Sequence, residues 1–203
     1  MERSVVRLIA ITDNVRDGQT GLIARAVAAA EGGATSIQLR LKDVAAHDLV
    51  LIARALVKAV AVPVIVNDRA DVAIAAGAAG VHLGPDDVPV KVVRAFAPAG
   101  FIIGTSVGFD EEISNAEGAD YVGIGPIFQT GSKADAGSAI GVVEFARLAV
   151  ATGLPAVGIG GITGNNARSV IDAGAAGVAV VAAIFGASDP RSAAKLLASA
   201  IET

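Results

Sequence analysis

Asp68 and Asp87 stand just beyond two short apolar runs, 63–67 and 81–84, that flank an Ala-rich stretch with the length of a short helix, 70–76. Val-Ile-Val before Asn67-Asp68 has the pattern of a buried strand and its stop, and Val81-His82-Leu83-Gly84 repeats it before Asp86 and Asp87. If the two strands are parallel neighbours, about 4.8 Å apart, Asp68 and Asp87 lie at the same end of one sheet. Two carboxylates facing one small volume suit Mg²⁺, a hard cation that takes oxygen ligands. Each acid also has a plainer use: Asp68 could cap the helix beginning near Ala70, and Asp86 or Asp87 the helix after Pro89.

The run Ile37-Gln38-Leu39-Arg40-Leu41-Lys42 adds the complementary charge. Strict alternation places the three apolar residues on one face and Gln38, Arg40 and Lys42 on the other. Two inward cations are costly unless an anion or a carboxylate meets them. They therefore mark either an anionic substrate site or an internal salt-bridge network with the neighbouring acids.

The elements that must hold these residues alternate along the whole chain. Strand-like runs fall at 7–12, 36–40, 63–67, 81–84, 101–106, 121–125, 156–160 and 178–182, with helical stretches near 20–31, 45–60, 70–76, 88–97, 110–117, 142–152, 165–173 and 190–201. Eight strand–helix units with nothing left over predict an α/β fold, a (βα)8 or TIM barrel, as one domain over 1–203. An internal repeat agrees, because a Gly-Ala pair followed by a Val-rich strand recurs in AAGAAGVHL, AEGADYVGIG and DAGAAGVAVV, with EGGATSIQL as a looser copy. In such barrels the chemistry sits at the C-terminal strand ends.

Three further ends carry candidates. The seventh and eighth, GIGGIT and VVAAIF, are uncharged, but backbone N–H groups after these strands commonly hold phosphate beside a short helix, and the Gly160–Gly161 pair lets the backbone approach, so both ends are candidates for a phosphate site. The longest connection, 126–141, is polar and Gly-rich and brings Thr130, Ser132 and Lys133 together, hydroxyls and a cation that suit a phosphate under a lid. The fifth strand ends in Thr105 and Ser106. His82, mid-strand among apolar residues, is expected to be a satisfied core histidine, and His47 lies on a helix surface.

Composition excludes several classes. A net charge of −4 and 3% aromatic residues leave neither a basic footprint nor stacking platforms, so nucleic acid is not an expected partner. With no cysteine there is no thiolate nucleophile, disulfide framework or Cys-ligated zinc. The uncharged runs 148–167 and 173–188 are broken by glycine, the first also by Pro155, and do not suit a membrane span. The start, MERSVVRLIAITD, has no secretory-signal pattern, so a cytoplasmic location is expected. Oligomeric state stays open, a homo-oligomer included.

The chain resembles the thiamin phosphate synthase and thiazole tautomerase family over essentially its full length. The matching stretches are AITD, QLRLK, VNDRADVA, GVHLGPDD, IGTS, GADYVGIGPIFQTGSK, GIGGIT and GVAVVAAIF. The resemblance implies a barrel that joins hydroxymethylpyrimidine pyrophosphate to a thiazole phosphate. It implies that Gln38, Arg40, Lys42 and Asn67 hold the pyrimidine pyrophosphate, that Asp68 and Asp87 bind Mg²⁺, and that Ser106, Thr130, Ser132 and Lys133 line the reaction site, with Ser106 and Lys133 catalytic. Gly160, Gly161 and the Val181–Ala182 backbone would take the thiazole phosphate. The sequence departs from the family pattern at Ile9, where an aromatic is expected. It also departs at Leu41 for glutamate, Pro85 for glutamine, Gly108 for histidine, Gln129 for proline and Ala182 for serine. A thiazole tautomerase-like isomerase and a non-catalytic thiazole phosphate binder are the alternatives.

Overall fold

The structure is a computed structural model that describes residues 1–13, 17–131 and 137–202. Eight parallel strands close into a barrel in sequence order: β1 (Leu8–Ile11), β2 (Ser36–Leu39), β3 (Val64–Asn67), β4 (Gly80–Leu83), β5 (Ile102–Val107), β6 (Tyr121–Ile124), β7 (Ala156–Ile159) and β8 (Gly177–Val180). Closure is made by β1 against β8, with Leu8 opposite Val178 and Ala10 opposite Val180. Around the barrel run α1 (Gly18–Glu31), α2 (Ala46–Ala59), α3 (Ala70–Ala76), α4 (Val90–Phe96), α5 (Gly141–Thr152), α6 (Ala167–Asp172), α7 (Ala182–Phe185) and α8 (Pro190–Ile201). Among the described residues no helix is long and apolar enough to cross a membrane.

Period-2 alternation divides the apolar residues into two cores. Ile37, Leu39, Val64, Val66, Val81, Leu83, Val122 and Ile124 face outward and meet the helices in one large cluster, against which Leu41 also packs. Ile9, Ile11, Ile65, Ile102, Tyr121, Val157 and Ala179 face inward and fill the barrel, with Val6 closing its lower end from a 3-10 turn, Arg3–Val6. Gln38 is buried between Ile37 and Leu39 and points the other way, as alternation demands.

Three local features differ from the sequence expectation. The eighth strand ends at Val180 rather than at residue 182, because the chain turns at Val181 and begins the four-residue helix α7. The fifth crossover is a 3-10 helix, Asp110–Ala116, rather than an α-helix. The turn Arg3–Val6 was not expected. Such pieces, four to seven residues long, are too short to show a hydrophobic period.

Candidate active site

Two adjoining cavities open at the C-terminal ends of the strands. The smaller, about 190 Å³, is lined by Arg40, Lys42, Asn67, Asp68, His82, Gly84, Pro85, Asp86, Asp87 and Ser106. The larger, about 460 Å³, shares Arg40, Asn67, His82, Pro85 and Ser106 with it and extends over an apolar floor of Ile9, Ile11, Val157, Ile159, Ala179 and Val181.

The ends of β2, β3 and β4 bring together what the sequence separates. Asn67 lies opposite His82 in the β3–β4 ladder, and the next residue, Asp68, adopts φ +64° while its N–H donates to the His82 carbonyl at 2.8 Å. That left-handed turn is uncommon for a residue with a side chain. The Asn67 amide donates to the Asp68 carboxylate. Asp87 is held by its own turn, its Oδ2 accepting from Gly84 N–H at 2.6 Å. Among the described residues no side chain caps α3 or α4, so the capping alternative for these acids does not hold.

Arg40 is aimed by its backbone. Thr12, fully buried at the end of β1, accepts from Arg40 N–H at 2.9 Å and donates to the Arg40 carbonyl at 3.1 Å. Neither Arg40 nor Lys42 forms an ion pair among the described residues. Both cations face a cavity that also holds three acids, Asp68, Asp86 and Asp87, yet neither forms an ion pair with them, and this fits an anionic ligand better than an internal salt-bridge network.

The donor set fits Mg²⁺. Asp68 and Asp87 offer oxygen only, and no group of three or more His, Cys, Asp or Glu side chains among the described residues is placed to hold a metal by itself. An ion that keeps several waters and shares one or two carboxylates with substrate phosphates needs no larger protein cage.

The wall of the larger cavity carries a hydrogen-bonded chain that the sequence did not reveal. His82 Nδ1 lies 3.0 Å from the Tyr121 hydroxyl and Nε2 lies 3.1 Å from Ser106 Oγ. Gln38 adjoins the same phenol from β2. Burial pushes the Tyr121 phenol well above its ordinary pKa; Gln38 pulls it down, and Asp120 adds to the rise. Two glycines make the room. A Cβ on Gly104 would stand 2.2 Å from the Tyr121 ring, and one on Gly123 would stand 3.1 Å from His82 Cε1. His82 is therefore satisfied, as expected, but it is not a core residue: it faces both cavities. Alternation between outward Val81 and Leu83 was the available signal.

The remaining site candidates divide. Thr130 lines the larger cavity, joined by Ser138 and Ile140 from the same connection and by Glu112 opposite. Ser132 and Lys133 lie outside the described residues. Val181 lines the larger cavity, whereas Gly160, Gly161 and Ala182 line neither. Gly160 and Gly161 have φ +95° and +64°, and a Cβ on them would stand 2.5 Å from Pro126 Cβ and 2.5 Å from the Gln129 carbonyl. These glycines let the connection after β6 lie on the end of β7, where Phe128 N–H donates to the Gly160 carbonyl at 3.1 Å. Asn166 secures the turn through Gly161 O at 3.0 Å and Thr163 N–H at 2.8 Å. Ala182 is exposed at the first turn of α7, the short helix expected beside a phosphate.

The family profile described as thiamine monophosphate synthase matches residues 8–184. The chain belongs to the thiamine monophosphate synthase family. Thiamine-phosphate synthase from Roseiflexus castenholzii is 47% identical over 192 residues, covering 92% of this chain and 84% of that one. The synthase from Azorhizobium caulinodans is 45% identical over 201 residues, covering 97% and 95%. A solved structure of thiamine phosphate pyrophosphorylase from Pyrococcus furiosus superposes with a TM-score of 0.85 at 38% identity, covering 98% and 96%. The family's barrel and the one described above are the same fold.

Proposed function

We propose that this chain is a Mg²⁺-dependent transferase that joins hydroxymethylpyrimidine pyrophosphate to a thiazole phosphate, yielding thiamin phosphate and pyrophosphate. The observation that carries the proposal is the pairing of the two cavities. Arg40, Lys42, Asp68 and Asp87 gather charge in the smaller one, and the larger, about 460 Å³, opens from it over an apolar floor suited to flat rings.

In this reaction the bond between the pyrimidine methylene and the pyrophosphate oxygen breaks, with its electron pair leaving on oxygen. The thiazole nitrogen then supplies its lone pair to the methylene, and the aminopyrimidine ring bears the transient positive charge. Arg40 and Lys42 oppose the charge that develops on the leaving oxygens, and Lys133 adds to this from the connection after β6. Cations placed in advance in a partly enclosed site are worth more than the same charges in water. Asp68 and Asp87 would hold Mg²⁺, which when bound neutralises pyrophosphate oxygens. Asn67 and Gln38 orient the pyrimidine, Ser106 and Thr130 meet the reacting groups, and the backbone at Val181–Ala182, with the Gly160–Gly161 turn, takes the thiazole phosphate. No side-chain nucleophile is needed, in keeping with a chain that has no cysteine.

Calorimetric titration with each substrate, followed by an assay for thiamin phosphate, tests the proposal. Binding of both substrates with product formation is the expected result. Binding of thiazole phosphate alone, with or without its isomerisation, would overturn it.

A further inference from the structure

We propose that His82 and Tyr121 are positioning residues that set the proton direction at Ser106, so that the Ser106 hydroxyl meets substrate as a hydrogen-bond donor. The inference rests on the proposed reaction only in taking Ser106 to face substrate. The network itself is a property of the free protein.

Direction follows from counting protons along the chain. Tyr121 is 1% exposed, so its phenol has no solvent to turn to and stays protonated, with one proton to give. Leaving that proton without an acceptor in a buried site is costly, and His82 Nδ1 stands within hydrogen-bond reach of the hydroxyl. The phenol therefore donates to the acceptor 3.0 Å away, His82 Nδ1. A neutral imidazole that accepts at Nδ1 carries its hydrogen on Nε2. Nε2 faces Ser106 Oγ at 3.1 Å, so Ser106 accepts there and its own proton is left for another acceptor. Ser106 lines both cavities, where pyrophosphate oxygens and ring nitrogens offer such acceptors.

The packing holds this order in place. Gln38, His82, Ser106 and Tyr121 come from β2, β4, β5 and β6, and all point into the barrel. The His82 and Tyr121 rings sit 5.5 Å apart at 36°, in the space left by Gly104 and Gly123. A side chain at Gly104 would displace the Tyr121 ring, and one at Gly123 would press on His82.

The chain has two histidines, so nitrogen-15 NMR of histidine-labelled protein reads the tautomer directly, with His47→Gln removing the exposed second imidazole. The expected result is a neutral His82 with bare Nδ1 and protonated Nε2. Tyr121→Phe should mix the tautomers and lower kcat roughly 3- to 10-fold while KM stays within about twofold, the signature of an interaction tightened in the transition state. His82→Gln, which keeps an N–H donor toward Ser106, should stay within about threefold of the parent kcat, whereas His82→Leu should fall at least about tenfold below it. An Nδ1–H tautomer, a doubly protonated His82, an unchanged tautomer in Tyr121→Phe, or equal losses in the two His82 variants would overturn the inference. The NMR result needs no substrate, so a protein with the expected tautomer and no product would refute the proposed reaction and leave this network standing.

Discussion

Replacing Asp87 by alanine removes two things at once, and the structure separates their sizes. The first is the turn bond from Gly84 N–H to Oδ2 at 2.6 Å. A hydrogen bond to a charged group contributes roughly 1.5–3 kcal/mol, and solvent screening of a half-buried acid reduces this to about 1 to 1.5 kcal/mol. In a domain of this size that lowers Tm by about 2–6 °C and leaves the barrel folded. The second is one of the two carboxylates proposed to hold Mg²⁺. Unit charges about 4 Å apart at an effective dielectric near 20 attract by about 4 kcal/mol, so losing one carboxylate from a dication should weaken pyrophosphate-dependent Mg²⁺ binding at least about 100-fold. Titration calorimetry with Mg²⁺ and pyrophosphate, beside a thermal melt, measures both effects. A folded Asp87→Ala protein that binds Mg²⁺ and pyrophosphate like the parent would refute the assignment of the ion to this pair.

Lys133→Ala should lower turnover more than substrate affinity if, as proposed, its charge opposes a leaving group that forms only in the transition state; steady-state kinetics showing the loss in KM alone would make it a simple binding residue. Ala182→Ser adds a hydroxyl at the exposed first turn of α7 and should tighten thiazole phosphate about tenfold without changing pyrimidine pyrophosphate affinity, as calorimetry can check. Thr12→Val keeps the buried shape but loses both bonds to the Arg40 backbone; it should weaken pyrophosphate binding several-fold, and Thr12→Ser should recover most of it. Asp189 caps α8, and its bonds to the Ser192 hydroxyl and N–H hold its carboxyl below the ordinary value of 3.8. A carboxyl depressed in the folded state stabilises above 3.8 and loses that contribution as pH falls through its folded pKa. Asp189→Ala should thus lower Tm at neutral pH and match the parent in acid.

Much of the barrel was legible because each unit repeats the same physical pattern. Outward strand residues that meet helices are apolar, inward ones alternate with them, and a Gly-Ala step precedes several strands, so eight strand cores could be placed to within a residue or two. The charged half of the site was legible for the same reason. Gln38, Arg40 and Lys42 share a face by alternation, and Asp68 and Asp87 end neighbouring strands. What escaped depends on contacts between distant segments. Tyr121 meets His82 across β5 only because Gly104 is small, and Gly160 and Gly161 are needed because the connection after β6 crosses them. No local spacing encodes either contact. Thr12 carries no signal in the sequence, because a buried hydroxyl at a strand end resembles any other until its partner, the Arg40 backbone, is in place.

Incubation of the protein with hydroxymethylpyrimidine pyrophosphate, thiazole phosphate and Mg²⁺, with thiamin phosphate and pyrophosphate quantified together, tests the central claim most directly. The account predicts equal amounts of both products, formed only when all three components are present. Thiamin phosphate without pyrophosphate, or no product from a folded protein that binds both substrates, would contradict it.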